Sequence, residues 1–280
     1  MDEMSGKISH LKIIKQTHYG RMLSAILIGA ALAFIIYSFA VGKIEWDFVA
    51  EFFTVKTIVK GILNTIILAF LSMALGIILG VIFAIMRMSK NPVLSYTSMA
   101  YIWFFRAVPA LLQLLIWFNL ALIFPKLGIY GLYSVRTIDV MTPFVASLLA
   151  LGIQQGAFTA EVVRAGLLSV DSGQYEAAKS VGMPYMMMLR RIIMPQAMRM
   201  IVPPVGNEFI GMVKLTSLAS VIQFEEILHS AQNIYYANSR VVELLIVAAG
   251  WYLIVVTILN LGQFKIEQYY SKGARRLDQH

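Results

Sequence analysis

The chain has no cysteine, so disulfides, thiolate metal sites and cysteine nucleophiles are all excluded from its chemistry. Histidine is nearly as scarce: there are only His10, His18, His229 and His280, and none lies inside a long apolar run. Buried zinc and histidine-based catalysis therefore have almost nothing to work with. Charge is also sparse. Only 14% of the 280 residues are charged while 59% are hydrophobic, against roughly a quarter charged and just under half apolar in a soluble domain. That balance excludes a disordered chain and a nucleic-acid-coating protein, although the net charge is +8 and the pI about 9.6. With a mean hydropathy of +0.74, the expected solvent is lipid, and the basic residues read as a topology signal.

What the chain has in abundance is long apolar runs. A helix needs about 20 largely apolar residues to cross a hydrocarbon core of roughly 30 Å. Met22–Gly42, Gly61–Met86, Val140–Ala160 and Leu244–Phe264 are uncharged over that length. Asn91–Pro125 is interrupted only by Arg106, and Ala197–Ile222 carries Arg199, Glu208 and Lys214. The first run is too long for a cleaved signal and lacks a small-residue cleavage site, so it reads as an anchor. With the N-terminus inside, fifteen lysines and arginines fall on the cytoplasmic side, from Lys7, Lys12, Lys15 and Arg21 through Arg87 and Lys90 to Lys272, Arg275 and Arg276; six fall outside. The expectation is an all-α polytopic membrane bundle of about six spans in a bacterial inner membrane, with both termini cytoplasmic. Residues 1–60 read as a cytoplasmic N-terminus, an extra first span and an outer connector, Ile44–Val59, lying as an interfacial helix. Residues 61–280 form one membrane domain without an internal repeat.

The longest polar interruption on the inside runs from about Arg164 to Arg199. Asp171 followed by Gln174 has capping-box spacing, Gly182 suits a left-handed helix stop, and Pro184 opens a helix. A short helix, a glycine turn and a second short helix are expected. A loop of over thirty residues in a compact protein is usually functional.

Here the residues resemble a known family. Glu176-Ala177-Ala178, Gly182, Ile192 and Met194-Pro195 are spaced like the EAA loop of ABC importer permeases, with methionine where leucine usually precedes the proline. Pro195-Gln196-Ala197, Arg199, Pro203-Pro204, Asn207 and Lys214-Leu215-Thr216-Ser217-Leu218 resemble the polar amino acid importer permeases of the histidine, glutamine and arginine type. So do Phe105-Arg106 with Pro109 and Gln113, and Ala160-Glu161 with Arg164. The resemblance implies a type I ABC importer permease fold from about Gly61 onward. It implies partners too: a second permease subunit, identical or a similar paralogue, two ATP-binding subunits, a periplasmic substrate-binding protein and membrane lipid. Gln174, Glu176, Ala177, Ala178, Gly182 and Pro195 would then form the coupling segment that docks on the ATPase. Glu176 offers it a carboxylate, and the two alanines allow close approach. The chain has no G-x-x-x-x-G-K-[ST] phosphate loop. It therefore binds no cofactor by this reading, and ATP and Mg belong to the partner ATPase.

Ala197–Ile222 is the candidate pathway wall. Pro203-Pro204 removes two backbone donors and is expected to kink or unwind the helix early. Glu208, eleven residues past Ala197, falls about 16 Å along the helix and so near the bilayer middle. An unpaired carboxylate there costs about 2.5–3.5 kcal/mol on insertion scales, so it faces the bundle interior or water. The alternative is a structural ion pair with Arg106 or Lys214. Asn207, Thr216, Lys214, Leu215, Gln113 and Arg106 complete the candidate pathway set for a small polar amino acid. The family resemblance places an aspartate in many relatives where Leu215 stands, forming with the upstream acid a pair for a cationic side chain; the one acid that remains suits a single ammonium better than two separated positive charges.

Other features have plainer readings. Gly76 and Gly80 pack helices within the subunit, the methionines fill core and interface rather than bind copper, and the four tryptophans are interfacial or packing aromatics. Two other function classes fit these residues less well. An ion-coupled secondary amino acid transporter could use Arg106, Glu208 and Lys214 as a charge relay, but has no use for an EAA loop. An intramembrane enzyme lacks a nucleophile–base spacing. No catalytic residue, metal site or nucleic-acid partner is expected.

Overall fold

The computed structural model describes residues 19–129 and 133–271. Lys7, Lys12, Lys15, Lys272, Arg275 and Arg276, on which part of the charge bias rests, lie outside them. Two compact units divide after Trp46. The first holds α1 (Tyr19–Val41), an apolar helix of 23 residues with no buried position. It is long enough to span a membrane.

The second unit carries the rest. A short helix α2 (Trp46–Phe52) leads to the long α3 (Lys56–Arg87), and then come α4 (Pro92–Ala107), α5 (Ala110–Phe118) and the single turn α6 (Leu120–Ile123). A two-stranded antiparallel hairpin follows, β1 (Lys126–Ile129) and β2 (Tyr133–Arg136), pairing Lys126 with Arg136. After α7 (Thr137–Val140) and α8 (Pro143–Leu168) come α9 (Ser172–Ser180), α10 (Tyr185–Met188), a π-turn (Leu189–Ile193) and α11 (Met194–Leu215). A 3-10 segment (Thr216–Ile222), α12 (Ile227–Asn238) and α13 (Val241–Ser271) complete the described chain. The fold is mostly helical, with the small hairpin a departure from a purely α reading. Five helices are long and apolar enough to cross a membrane, or six if α4 and α5 count as one broken span.

Three sequence expectations need correction. Asn91–Pro125 is not one straight span: α4 and α5 meet at 100°. The break is local chemistry, because Pro109 forbids helical backbone at Val108, which is extended at φ −82° and ψ 128°. Second, Pro203 and Pro204 do not break their helix, and α11 runs through both. Packing outweighs the two lost donors. Ile201 is buried so closely on α8 that a β-carbon at Gly166 would meet its Cγ1 at 2.3 Å, and Gln263 Nε2 donates to the Pro203 carbonyl at 2.8 Å. Third, the second short helix of the loop does not stop. Tyr185–Ile222 is one helical run of 38 residues, with the π-turn ending just before Met194-Pro195 and closed by the Met194 N–H on the Leu189 carbonyl.

The core of the unit is the α3–α8 pair, and glycine permits its closeness. A β-carbon at Gly76 would lie 2.6 Å from Gln155 Cγ, and one at Gly80 would lie 2.7 Å from Thr159 Cβ. The GxxxG pair is thus spent inside the chain, on the two side chains that matter below. At the opposite end of α3 from Arg87, α12 is bolted on by polar contacts. Lys60 pairs with Glu225 at 2.7 Å, Asn64 Nδ2 donates to the Glu225 carbonyl, and Ile227 N–H donates to Thr65 Oγ1. Lys60 also holds the Glu225 carboxyl below the usual carboxylate range. Buried Glu226 caps α12, accepting from the Leu228 and His229 amides and from Tyr252 Oη at 2.5 Å. The connector is tied down as well, since Trp251 Nε1 donates to the Phe53 carbonyl at 2.7 Å.

Gly80→Val is expected to force α3 and α8 apart at a cost of about 1–3 kcal/mol. It should lower the thermal midpoint of the purified permease by several degrees. An unchanged midpoint would contradict this packing.

Candidate functional site

Glu208 sits in the middle of the continuous helical run, half-buried, and turns toward α8. Its Oε2 accepts two hydrogen bonds from that helix, from Gln155 Nε2 at 2.7 Å and from Thr159 Oγ1 at 3.1 Å. Gln155 also donates to Thr159 Oγ1 at 3.1 Å. The two donors stand four residues apart on one face of α8, pressed there by Gly76 and Gly80 of α3. Both lie near the centre of a 26-residue span. A carboxylate at this depth is stabilised here by neutral donors, which lessen its desolvation cost without cancelling its charge.

Arg106 occupies the last turn of α4, just before the 100° bend, and is exposed. Its guanidinium carbon lies 5.2 Å from the centre of the Phe158 ring. It makes no ion pair with Glu208 or with any other described residue. The bend behind it is pinned. Gln113 Nε2 donates to the Phe105 and Val108 carbonyls at 3.1 and 2.9 Å, and Gln154 Nε2 reaches the Val108 carbonyl at 3.4 Å. Gln113 is buried, and its Oε1 has no hydrogen-bond partner among the described residues.

The other candidates disperse. Lys214 is exposed and lines a separate cavity of about 340 Å³ with Ser217, Leu228, Leu245 and Tyr252. Asn207 Nδ2 donates to Glu267 Oε1 on α13 at 3.0 Å. Thr216 is buried and gives its hydroxyl to the Val213 carbonyl at 2.7 Å, which withdraws it from any pathway in this conformation. Leu215 packs against the core of α3, α8, α11 and α13. A cavity of about 910 Å³ is an apolar groove along α3, α8 and α11 that touches Thr159 and Gly206 but not Glu208. Among the described residues no cluster of three metal-ligating side chains occurs.

On the loop, α9 ends in a Schellman turn. Gly182 is left-handed at φ 71°, its N–H donates to the Lys179 carbonyl, and the Met183 N–H reaches back to Ala178. The cap of α9 is simpler than the sequence spacing suggests. Asp171 Oδ1 accepts from the Gly173 amide at 2.7 Å, while the Gln174 side chain accepts from Gln196 at 3.4 Å instead of closing a box. Ala178 is turned inward, 2% exposed within a cluster that includes Val163, Met188 and Ile193. The close approach it allows is therefore internal. Glu176, Ala177, Gly182 and Pro195 are exposed, as are the apolar Val181 and Tyr185 nearby. Glu161 and Arg164 pair with each other at 2.8 Å at the end of α8.

Sequence reasoning missed Gln155 and Thr159. The signal was present as an amide and a hydroxyl four residues apart inside an apolar run, opposite a GxxxG.

The chain matches a family described as binding-protein-dependent transport system inner membrane component over residues 76–270. It is 39% identical to the arginine transport system permease protein ArgU of Corynebacterium glutamicum, over 92% of this chain and 83% of that protein. It is 38% identical to the L-cystine transport system permease protein TcyB of Bacillus subtilis, over 85% and 93%. A crystal structure of an amino acid ABC transporter with histidines superposes with a TM-score of 0.67 at 33% identity, covering 76% of this chain and 94% of that one. The MetNI methionine ABC transporter shares the fold at 18% identity and a TM-score of 0.62. The family's description is of a binding-protein-dependent system, and the relatives are ABC permeases, which removes the ion-coupled reading. The protein is a multi-pass inner-membrane chain belonging to the binding-protein-dependent transport system permeases, of the amino acid ABC importer kind.

Proposed function

We propose that this permease passes a free polar amino acid along α11, with Glu208 receiving the substrate ammonium. The observation that carries the reading is a carboxylate in mid-span bonded by Gln155 and Thr159 at 2.7 and 3.1 Å rather than ion-paired. Such a group has no countercharge of its own among the described residues, and both bonds fall on Oε2. Relatives named for arginine and cystine transport fit a substrate with an α-ammonium. Two permease subunits, identical or paralogous, enclose the path, two ATP-binding subunits hold ATP and Mg, and a periplasmic protein delivers substrate.

Orientation follows from charge. The loop between α8 and α11 lies in the cytoplasm, with the N-terminus on the same side, because Lys179, Arg190, Arg191 and Arg199 cluster there. Exposed Glu176, Ala177 and Val181 form its ATPase-facing surface. Gly182 sets the angle between α9 and the long helical run that carries Glu208.

Glu208→Gln keeps the shape and removes the charge. It should weaken substrate binding about tenfold to a hundredfold, the worth of one charge-assisted hydrogen bond, while the assembled complex still hydrolyses ATP. Unchanged uptake of neutral and cationic amino acids would make Glu208 structural.

Glu176→Arg and Gly182→Val should each leave the permease in the membrane but abolish copurification of the ATPase and uptake. Gly182→Val acts by forcing a β-branched residue into left-handed backbone, which costs roughly 1–2 kcal/mol. Normal ATPase retention by both variants would remove the coupling assignment.

A further inference from the structure

Lys214 belongs to the pathway set read from the sequence, yet the structure turns it away from Glu208. It stands six residues further along α11, about 9 Å on and about 240° round the helix. There it lines a cavity of about 340 Å³ with Ser217, Leu228, Leu245, Ala248, Ala249 and Tyr252. The walls come from the end of α11, the 3-10 segment, α12 and α13.

Lys214 is exposed and forms no ion pair with any described residue. The acid behind Tyr252 is already committed. Glu226 is fully buried and accepts from the Leu228 and His229 amides and from Tyr252 Oη. Ser217 gives its own proton to the Lys214 carbonyl at 2.8 Å, so the hydrogen bond it still has to offer is as an acceptor. The remaining wall is apolar. Along α13 it continues from Leu245 through Ala249 to Leu253, four residues apart on one exposed face. A cation above an apolar strip is the two-part complement of a phospholipid. Lysine at membrane depth needs an anion or water, and a lipid phosphate is the anion that the bilayer itself supplies. With the loop in the cytoplasm, α11 runs outward, and the stem of Lys214 reaches toward the outer headgroups. A free amino acid fits less well, because its ammonium would meet a cavity whose exposed charge is positive.

We propose that Lys214 binds the phosphate of an anionic phospholipid in the outer leaflet, with an acyl chain lying on Leu245, Ala249 and Leu253. Ser217 accepts from a headgroup hydroxyl. The preferred lipid therefore joins a net negative charge to hydroxyls, as phosphatidylglycerol does. The site shares no residue with the Glu208 site, so it stands or falls apart from the transport reading.

The test uses the assembled permease–ATPase complex, stripped of lipid in neutral detergent. It is titrated with phosphatidylglycerol or phosphatidylcholine while native mass spectrometry counts bound lipid. The first-filled site should prefer phosphatidylglycerol. Lys214→Gln should weaken that lipid about tenfold to a hundredfold, the worth of one charge-assisted hydrogen bond, and leave phosphatidylcholine unchanged. Lys214→Arg keeps the charge and should keep the preference. Ser217→Ala should weaken phosphatidylglycerol by about threefold to tenfold; no effect would overturn the role of Ser217. A photoactivatable phosphatidylglycerol should crosslink to α13 between Leu245 and Leu253, with excess phosphatidylglycerol competing and glycerol phosphate not. Unchanged phosphatidylglycerol affinity in Lys214→Gln, equal weakening of both lipids, or loss of preference in Lys214→Arg would overturn the assignment of Lys214. Competition by glycerol phosphate would make the site one for free phosphate esters. In this cysteine-free chain Leu245→Cys gives a single thiol. Disulfide-linked permease pairs without lipid crosslinks would show that a second copy covers this face, and would overturn the lipid site.

Discussion

A carboxylate in the middle of a membrane-spanning unit must find hydrogen-bond donors, and the rest of this structure is arranged around that requirement. The donors to Glu208 are Gln155 and Thr159. Their positions depend on α3 approaching α8 closely enough that no β-carbon would fit at Gly76 or Gly80. Sequence composition thus acts at two removes: small residues on one helix set the polar face of a second, which holds the acid of a third. Neutral donors lessen the desolvation cost while leaving the charge available.

The same acid stands on a helical run that begins in the loop. Tyr185–Ile222 continues through a π-turn, Pro195, Pro203 and Pro204 without a break. It starts two residues after a Schellman turn whose glycine permits the change of direction from α9. In the proposed mechanism, force applied to exposed Glu176 and Ala177 reaches Glu208 along covalent and helical structure rather than through a flexible linker. At the far end, the 3-10 segment passes into the Gln223–Glu226 turn, which Lys60, Asn64 and Thr65 fasten to α3. The run is anchored at both ends.

Much of this was legible in the sequence because the bilayer imposes a length and an absence of charge. The long helices fall where the apolar runs do, and the Asp171, Gly182 and Pro184 signals bracket α9 and the start of α10. What was not legible depends on neighbours. Pro203-Pro204 reads as a break from backbone chemistry alone, yet Ile201 packing and the Gln263 bond hold the helix together. Ala178 reads as a contact surface, but the phase of α9 turns it inward. The bend at Val108 was hidden inside an apolar run interrupted only by Arg106, although Pro109 marked it. Gln155 and Thr159 were missed because no sequence rule says which acid an intramembrane amide will meet.

The account's central claim is that substrate ammonium meets Glu208 on the face supported by α8. An experimental structure of the assembled transporter with saturating amino acid tests it most directly. The claim predicts substrate density beside α11 with its nitrogen within hydrogen-bond distance of a Glu208 oxygen, and Gln155 and Thr159 still bonded to the same carboxylate. Substrate density elsewhere, with the Glu208 carboxylate contacting only protein, would contradict it.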